Sequence, residues 1–331
     1  MPPVSRFFQR VLLVSALTLP LLLLRAVKGD ELAGQFYEKA KAATVEILVN
    51  GHLNGSGWIA DSQGLVMTAS HVVEHPDRTL EIASPSLGRK DAKLLGVDLG
   101  HDLALLSMEP RKEGYPFLKV AEKCPAPGVG IFVIGAPLYR HGVLARGTMA
   151  CAETAFEYYA DRFNEVSHIS ATVPQGMSGA PWLNPAGEVV GVQSGVMSQN
   201  SIPIGIAFAA PPAAMRTLLE RRKTASTPSL GLIVEEIWAQ DNKLIDRYPR
   251  KTEGLVIKFL QPDGPAARAA LKESDLIVAA EGKPVRLTAD LLRIVMGKQP
   301  GQALELTMLR PDGGGQTKAT VNLGKLEVAW P

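Results

Sequence analysis

The chain has 331 residues, a formal net charge of +2 at pH 7 and 21% charged residues. This length suits two ordinary domains, and a near-neutral charge without long basic or acidic blocks argues against nucleic acid as a partner. The sequence contains no phosphate-cradling Gly-Lys-Ser/Thr loop, no His-Glu-x-x-His pair and no close cysteine pair. We therefore predict no cofactor and no metal ligand set.

The N-terminal segment has the composition of a secretory signal. Arg6 and Arg10 precede an apolar run over residues 11–24, and small residues lead up to Asp30. As a helix at about 1.5 Å per residue this run spans only about 21 Å, short of a bilayer core of about 30 Å, so no stable membrane span is expected. We predict a signal peptide over residues 1–29 and an exported, periplasmic or secreted mature chain, with an uncleaved anchor as the alternative.

Export implies an oxidising compartment, which makes the two cysteines, Cys124 and Cys151, a candidate disulfide. They flank a predicted hairpin with strands over residues 128–135 and 145–153. Disulfide geometry is strict, however, and two free thiols fit the sequence equally well.

The region after Asp30 has the pattern of a short amphipathic helix followed by β-strands. Phe36 and Tyr37 on that helix either cover the core of the domain or form an oligomer contact. Further along, two strands joined by a turn at residues 61–64 lead directly to His71. An apolar strand that ends at a histidine holds the imidazole in a fixed place, which distinguishes His71 from the other five histidines as a candidate general base.

Asp102 opens a later apolar strand. An aspartate there can be buried against an imidazole, where it fixes the tautomer and stabilises the imidazolium formed during catalysis. Asp98 lies just upstream in a glycine-flanked turn and is the competing candidate, although a solvated loop position suits it better.

Ser178 is the candidate nucleophile, because Gly176 and Gly179 bracket it. Small residues on both sides leave the hydroxyl uncovered and let backbone N–H groups converge beside it, as in an oxyanion hole. A serine hydroxyl needs a base and an orienting third group, which His71 and Asp102 can supply.

Three segments, residues 68–71, 102–105 and 175–181, resemble in this order those of trypsin-like serine proteases, particularly the high-temperature-requirement (HtrA) family. The resemblance implies a mainly β fold, with two six-stranded antiparallel β-barrels of the chymotrypsin type. It also implies a triad of His71, Asp102 and Ser178.

By the same resemblance, the backbone N–H groups of Gly176 and Ser178 form the oxyanion hole. Two neighbours depart from the family pattern: Met177 stands where Asn or Asp is usual, and Ala180 where a second glycine is usual. Neither removes a catalytic group. They do support an alternative, a binding or chaperone protein whose protease-like domain is catalytically silent.

Residues 189–208 correspond to the substrate pocket and edge strand of the relatives, with Val192, Gln193 and Ser194 as the predicted substrate-binding residues. No acidic residue occurs in this range. We therefore expect selection of a small apolar residue, rather than Lys or Arg, beside the scissile bond.

By composition, residues 30–212 form the protease domain, residues 213–228 a linker and residues 229–326 a second domain. The order of strands and helices in the last range resembles an α+β PDZ domain. That resemblance implies that Leu230, Gly231 and Leu232 capture the C-terminal carboxylate of a peptide. A domain that only packs against the protease and binds nothing is the alternative.

The resemblance to HtrA proteins also implies partners. Substrates are expected to be unfolded or damaged exported polypeptides, and C-terminal peptides are expected at the PDZ domain. The relatives assemble as trimers through the protease domain, which makes a homotrimer one expected assembly, with Phe36 and Tyr37 as candidate contacts.

Overall fold

The computed structural model describes residues 33–74 and 78–327. The predicted signal peptide, residues 1–29, lies outside the described residues. Among the helices of the described ranges, none combines the length and the apolarity that crossing a membrane requires.

A first closed barrel is built from six antiparallel strands, β1 (Thr44–Val49), β2 (His52–Ile59), β3 (Leu65–Ala69), β4 (Leu80–Ser84), β5 (Gly88–Asp98) and β6 (Leu103–Ser107). Along β6 every residue but the last is buried. Ala104 and Leu106 pack inside the barrel, whereas Leu103 and Leu105 pack in a second cluster on its outer face. Because both faces of this strand are covered, it is a continuous apolar run rather than an alternating one.

The second barrel is built from β7 (Gly130–Gly135), β8 (Val143–Met149), β9 (Ala155–Tyr159), β10 (Arg162–Ser170), β11 (Pro181–Leu183), β12 (Val189–Gln199) and β13 (Ile202–Ala210). Six of these strands form a ring that closes where β10 pairs with β13, and β9 extends the sheet as a hairpin with β10. The prediction of two six-stranded antiparallel barrels is confirmed.

An apolar cluster between the barrels joins them, with Trp58 and Met67 from the first and Ile134 and Val192 from the second. A helix at residues 33–43, α1, also packs on this cluster. So does α3 (Pro212–Arg221), through a buried stripe that contains Ala214, Met215 and Leu218. The predicted linker thus contains most of a helix that is packed against the barrels.

The elements of the C-terminal domain are β14 (Pro228–Ser229), β15 (Leu232–Glu236), α4 (Asn242–Ile245), β16 (Leu255–Leu260), α5 (Pro265–Arg268), β17 (Leu276–Ala280), β18 (Lys283–Pro284), α6 (Thr288–Met296), β19 (Ala303–Leu309), β20 (Gln316–Asn322) and β21 (Gly324–Lys325). Five of the strands form a sheet in the order β15-β16-β17-β19-β20, with β18 added to β17 and a separate β14–β21 pair. The core of the domain lies between this sheet and α6, which confirms the predicted α+β domain.

The β9–β10 hairpin is where the second barrel meets the C-terminal domain. Phe163 on this hairpin packs against the core of that domain. On α6, Arg293 donates a hydrogen bond to the carbonyl of Thr154 at 3.0 Å. The hairpin therefore has one side on the C-terminal domain and, through β10, its base in the second barrel.

Candidate active site

His71 and Asp102 form a close pair in the first barrel. His71 lies on α2 (Ser70–Val73), a single helical turn that directly follows β3. Its Nδ1 is 2.7 Å from Oδ2 of Asp102, and its backbone N–H donates to Oδ1 at 3.0 Å. Since the carboxylate accepts at Nδ1, the neutral imidazole keeps its lone pair on Nε2, the atom that a general base needs.

Asp102 is completely buried and has a positive φ of 53° immediately before β6. Besides the two bonds from His71, its Oδ1 accepts the hydroxyl of Ser70 at 2.8 Å. The backbone N–H of Ser70 donates to the Asp102 carbonyl at 3.1 Å. A buried carboxylate is tolerated only with such partners, so this local network stabilises both the charge and the backbone conformation.

The charges of the pair support each other. Burial opposes a charged imidazole, but the negative charge and hydrogen bond of Asp102 outweigh it, so the pKa of His71 is raised above 6.5. Burial likewise opposes the Asp102 carboxylate, yet His71 and Ser70 keep the pKa of Asp102 below its usual range. The pair is therefore built to carry an imidazolium next to a carboxylate.

Ser178 lies in the loop between β10 and β11, and Ser56 of β2 holds that loop in place. The Ser56 backbone N–H donates to the Ser178 carbonyl at 2.7 Å, and its hydroxyl donates to the Gly176 carbonyl at 2.9 Å. The same hydroxyl accepts the N–H of Ala136 at 3.0 Å. One fully buried serine thus anchors the loop to both barrels.

The two glycines around Ser178 are required by close contacts. Gly179 has a φ of +84°, and an added Cβ would overlap the Ser56 carbonyl and the Thr68 hydroxyl. Gly176 has a φ of +95°, and a Cβ there would lie 2.6 Å from the Ala136 carbonyl. A side chain at position 179 would force the loop away from β2 and β3, and one at position 176 would force it away from the segment that follows β7.

Met177 and Ala180, the two departures from the family pattern, both point into the second barrel. Met177 is 1% exposed and Ala180 is fully buried, and both belong to the apolar core. Ala180 is not among the residues with a positive φ, so its backbone needs no glycine. Neither side chain occupies the space beside the Ser178 hydroxyl from which a substrate would approach.

The geometry leaves donors free at the predicted oxyanion hole. The carbonyl of Gln175 accepts the Leu138 N–H at 3.0 Å, and in a trans peptide the N–H of Gly176 points the opposite way. Within the described residues, neither the N–H of Gly176 nor that of Ser178 donates a hydrogen bond. Both remain available for an oxyanion.

Ser178 and His71 are not hydrogen-bonded to each other. Their chain segments approach at Gly55, where an added Cβ would lie 2.7 Å from Val72, the residue after His71, and 2.8 Å from the Ser178 carbonyl. Among the described residues, however, the Ser178 hydroxyl has no hydrogen-bond partner, His71 included. Such bonds often tighten only when substrate is bound.

The predicted substrate-binding residues have inward-facing side chains. Val192 is fully buried in the cluster between the barrels. Gln193 accepts the indole N–H of Trp182 at 2.9 Å, and the Ser194 hydroxyl donates to the Phe208 carbonyl at 3.1 Å. Gln193 also pairs through its backbone with Gly179 and Ala180. Gln193 thus supports the serine loop through its backbone.

The predicted peptide site of the C-terminal domain borders a groove of about 660 Å³. Leu230, Gly231 and Leu232 line it together with Ile233 of β15 and with Leu292 and Val295 of α6. The N–H of Gly231 already donates to the Ser229 hydroxyl at 3.1 Å. Residues of the β9–β10 hairpin line the same groove on the protease side: Tyr158, Asp161, Arg162 and Phe163.

The structure also shows the surroundings of the two cysteines and of the two aromatic residues on α1. Cys124 and Cys151 are free thiols, so the structure does not contain the disulfide that the sequence left open. Phe36 packs against Phe132, and the Tyr37 hydroxyl donates to the Gly142 carbonyl at 2.9 Å, so both side chains contact their own chain. In the part of the chain that the structure describes, no group of three or more acidic, histidine or cysteine side chains could hold a metal ion.

Four residues at the site carry roles that the sequence did not indicate. Ser70 lies inside the recognised segment 68–71, and Ser56 stands between Gly55 and Gly57, so a serine next to the histidine or between glycines was an available signal. Glu74 and Arg162 form an ion pair behind Asp102, at 2.6 Å. Nothing in the sequence around Arg162 indicates that it reaches the active site.

Asp98, the competing aspartate, instead pairs with His101. Its Oδ2 is 2.9 Å from Nδ1 of His101, whose Nε2 is 3.3 Å from Glu165 on β10. Burial opposes the charge of His101, but the two carboxylates outweigh it and raise the pKa of His101 to about 10. This imidazolium links the end of β5 to β10.

Two known domain families match the chain. A trypsin-like peptidase domain matches residues 55–192, and a PDZ domain matches residues 228–323. The first range contains His71, Asp102 and Ser178, and the second contains nearly all of the C-terminal domain.

Proteins with related sequences are described as serine endoproteases. A probable periplasmic serine endoprotease, DegP-like, from Ectopseudomonas mendocina is 29% identical over 279 residues, which cover 82% of this chain and 56% of the relative. A protein with the same description from Brucella suis is 27% identical over 269 residues, covering 81% and 52%. The chain thus spans only 52–56% of the length of these relatives.

Solved structures show the same fold. A serine endoprotease from Yersinia pestis aligns with a TM-score of 0.61 at 23% identity, covering 89% of this chain and 98% of that structure. The HtrA-type protease AlgW with a decapeptide aligns with a TM-score of 0.65 at 20% identity, covering 88% and 98%.

The His101 imidazolium predicts how stability varies with pH. Below pH 6.5 the histidine is protonated in both folded and unfolded chains, so its stabilisation is complete; between pH 6.5 and about 10 only the folded chain keeps the proton, and the stabilisation is lost. The free energy of unfolding, measured with urea, should therefore fall more steeply between pH 6.5 and 9.5 for the wild type than for His101→Gln. His52→Gln, at an exposed position, is the control and should keep the wild-type slope. An equal slope in His101→Gln contradicts this assignment.

Proposed function

Because the chain joins a trypsin-like peptidase domain to a PDZ domain, as its sequence resemblance to HtrA proteins implies, we propose that it is a serine endopeptidase. Its substrates are unfolded or damaged exported polypeptides. The observation that carries the proposal is the 2.7 Å contact between His71 Nδ1 and the buried Asp102, next to a serine loop with unpaired backbone N–H groups.

The geometry supports acyl transfer in two steps. Ser178 attacks a peptide carbonyl while His71 Nε2 takes its proton, and the N–H groups of Gly176 and Ser178 stabilise the oxyanion. The imidazolium, stabilised by Asp102, then protonates the leaving amine. Water, deprotonated by the same histidine, releases the acyl group from Ser178.

A second candidate function follows from one observation, the absence of a hydrogen bond from the Ser178 hydroxyl to His71 among the described residues. A protein that bound unfolded chains in the same cleft without cleaving them would need no such bond. The inward-facing Met177 and Ala180 give this alternative no further support, because they leave the serine uncovered.

Small apolar residues are the proposed preference next to the scissile bond. The stretch from residue 189 to 208 contains no charged side chain, and its polar groups Gln193 and Ser194 are already hydrogen-bonded inside the barrel. A cationic substrate side chain would therefore find no partner there and would lose its hydration.

The PDZ domain is proposed to take C-terminal peptides. The groove between β15 and α6 has apolar side chains from both elements in its lining and includes the loop with Gly231, where a peptide can add as a strand. We further propose export after removal of residues 1–29, and a homotrimer as the assembly.

Covalent labelling tests the enzyme directly. A fluorophosphonate probe should label the wild type, and Ser178→Ala should abolish labelling and reduce casein cleavage by about 10⁶-fold, the scale for loss of a catalytic serine. Ser201→Ala, at an exposed turn, is the matched control and should behave as wild type. Folded wild type that binds unfolded casein but is neither labelled nor able to cleave it identifies the silent binder.

A peptide panel tests the substrate preference. Peptides that differ only in the residue before the scissile bond should show kcat/KM at least about tenfold higher for Val or Ala than for Arg, since an unpaired buried charge costs well over 1.4 kcal/mol. Equal rates for Val and Arg would count against an uncharged apolar pocket.

Carboxylate capture at the PDZ domain is tested by fluorescence titration of the full chain. Peptides with an apolar C-terminal residue should bind at least about tenfold more tightly than the same peptides as C-terminal amides, because charge-assisted hydrogen bonds to backbone N–H groups are lost. Ser178→Ala is used to prevent cleavage. Equal affinity for the acid and the amide indicates a domain that does not recognise the C-terminal carboxylate of a peptide.

A further inference from the structure

Arg162 is a buried cation directly behind the His71–Asp102 pair. Its side chain is 6% exposed, and its guanidinium contacts Glu74 twice, at 2.6 Å and 3.2 Å. Its Nη2 also donates to the Ser70 hydroxyl at 3.0 Å. The same nitrogen lies 3.9 Å from Oδ1 of Asp102.

These contacts hold both ends of the helix that carries His71. Ser70 is the first residue of α2, and Glu74 is its C-terminal cap. Because the Ser70 hydroxyl accepts from Arg162, its single proton is directed to Asp102, to which it donates at 2.8 Å. A four-residue helix has little stability of its own, so its orientation depends on such external contacts.

The hairpin that carries Arg162 is itself constrained. Ala160 and Asp161 form its turn with φ values of 51° and 57°. The side-chain amide of Asn164 donates to the carbonyls of Tyr159 and Arg162, at 3.0 Å and 3.1 Å. The guanidinium is therefore presented from a tight and internally bonded turn.

We propose that Arg162 is a positioning residue of the active site: by holding Ser70 and Glu74 together, its guanidinium fixes α2 and the Asp102 carboxylate in the orientation that His71 needs. This inference rests on the proposed endopeptidase function. It adds to the triad a residue from the second barrel, so that the base in the first barrel is oriented from both barrels.

A purely stabilising role accounts poorly for this arrangement. Burying a cation costs free energy, and Nε of Arg162 has no hydrogen-bond partner in the described structure. Apolar side chains of similar volume often replace buried ion pairs without loss of stability. A guanidinium that contacts Ser70 and Glu74 at once, beside Asp102, instead matches a requirement for fixed geometry.

The charge of Arg162 also acts on His71. Arg162 opposes protonation of the imidazole, whereas Glu74 and Asp102 favour it. Among the described residues, the other charged or titratable groups that act on this cluster are Tyr159, beside Asp102, and Arg78, beside Glu74. Removing the guanidinium should therefore raise the pKa of His71.

The test compares Arg162→Gln with Arg162→Lys in the full chain, and with Arg247→Gln, which removes an exposed arginine of the PDZ domain, as the matched control. In Arg162→Gln we expect kcat to fall about 10²-fold with KM changed less than about threefold, the scale of a small misplacement of a catalytic group. The pKa of His71, measured by NMR of the imidazole, should rise. In Arg162→Lys the pKa of His71 should return to the wild-type value but kcat should not, because a single ammonium group cannot make the several simultaneous contacts of the planar guanidinium.

A double variant distinguishes loss of active-site geometry from loss of stability. Arg162→Met with Glu74→Met replaces the buried pair by apolar side chains, which should keep the thermal midpoint near wild type while kcat still falls about 10²-fold. The NMR signal of the His71 Nδ1 proton bonded to Asp102 should weaken in the same variant. Arg247→Gln should keep wild-type values throughout.

Folded Arg162→Gln with kcat within about threefold of wild type and an unchanged His71 pKa overturns the proposal. The NMR measurements need no turnover, so they separate the two hypotheses. If the wild type proves inactive, the proposed function fails, and the response of the His71 resonances to Arg162→Gln still decides whether Arg162 positions the histidine.

Discussion

The contact between Asp102 and His71 is the interaction on which the site depends. A completely buried carboxylate is unfavourable unless its oxygens are hydrogen-bonded, and Asp102 receives bonds from the imidazole and backbone of His71 and from the Ser70 hydroxyl. All these donors belong to Ser70 and His71, the first two residues of α2. The helix and the carboxylate therefore fix each other, and an error in one displaces the other.

The serine loop is fixed by a different set of contacts, which come from the first barrel as well as from the backbone of Gln193 in the second. Ser56 of β2 bonds the carbonyls of Ser178 and Gly176, and Gly179 fits against Ser56 and Thr68 without room for a side chain. Ser178 thus belongs by sequence to the second barrel but is held against β2 and β3. Arg162 makes the reverse connection, from the second barrel to α2, so both barrels contribute contacts around the three proposed catalytic residues.

Individual strands were predictable because local apolar patterns carry them, whereas the two barrels and the α+β domain were predicted from the resemblance of the motifs, and of the order of elements after residue 228, to known families. His71, Asp102 and Ser178 were found because each stands at a strand end or in a glycine-bracketed loop. The contacts of Arg162 with α2 were not predictable, since Arg162 lies 92 residues from Ser70 and meets it only through tertiary packing. The inward direction of Gln193 likewise depends on Trp182, to which no sequence pattern connects it.

The central claim, that Ser178 becomes acylated with His71 as its base, is tested most directly by trapping the intermediate. Wild-type protein mixed with an activated acyl ester, quenched in acid within milliseconds and analysed by intact mass and peptide mapping, should carry one acyl group per chain on Ser178. The adduct should build up far more slowly in His71→Ala. A folded wild type with no acyl group on Ser178, or an adduct that forms equally fast without His71, contradicts the account.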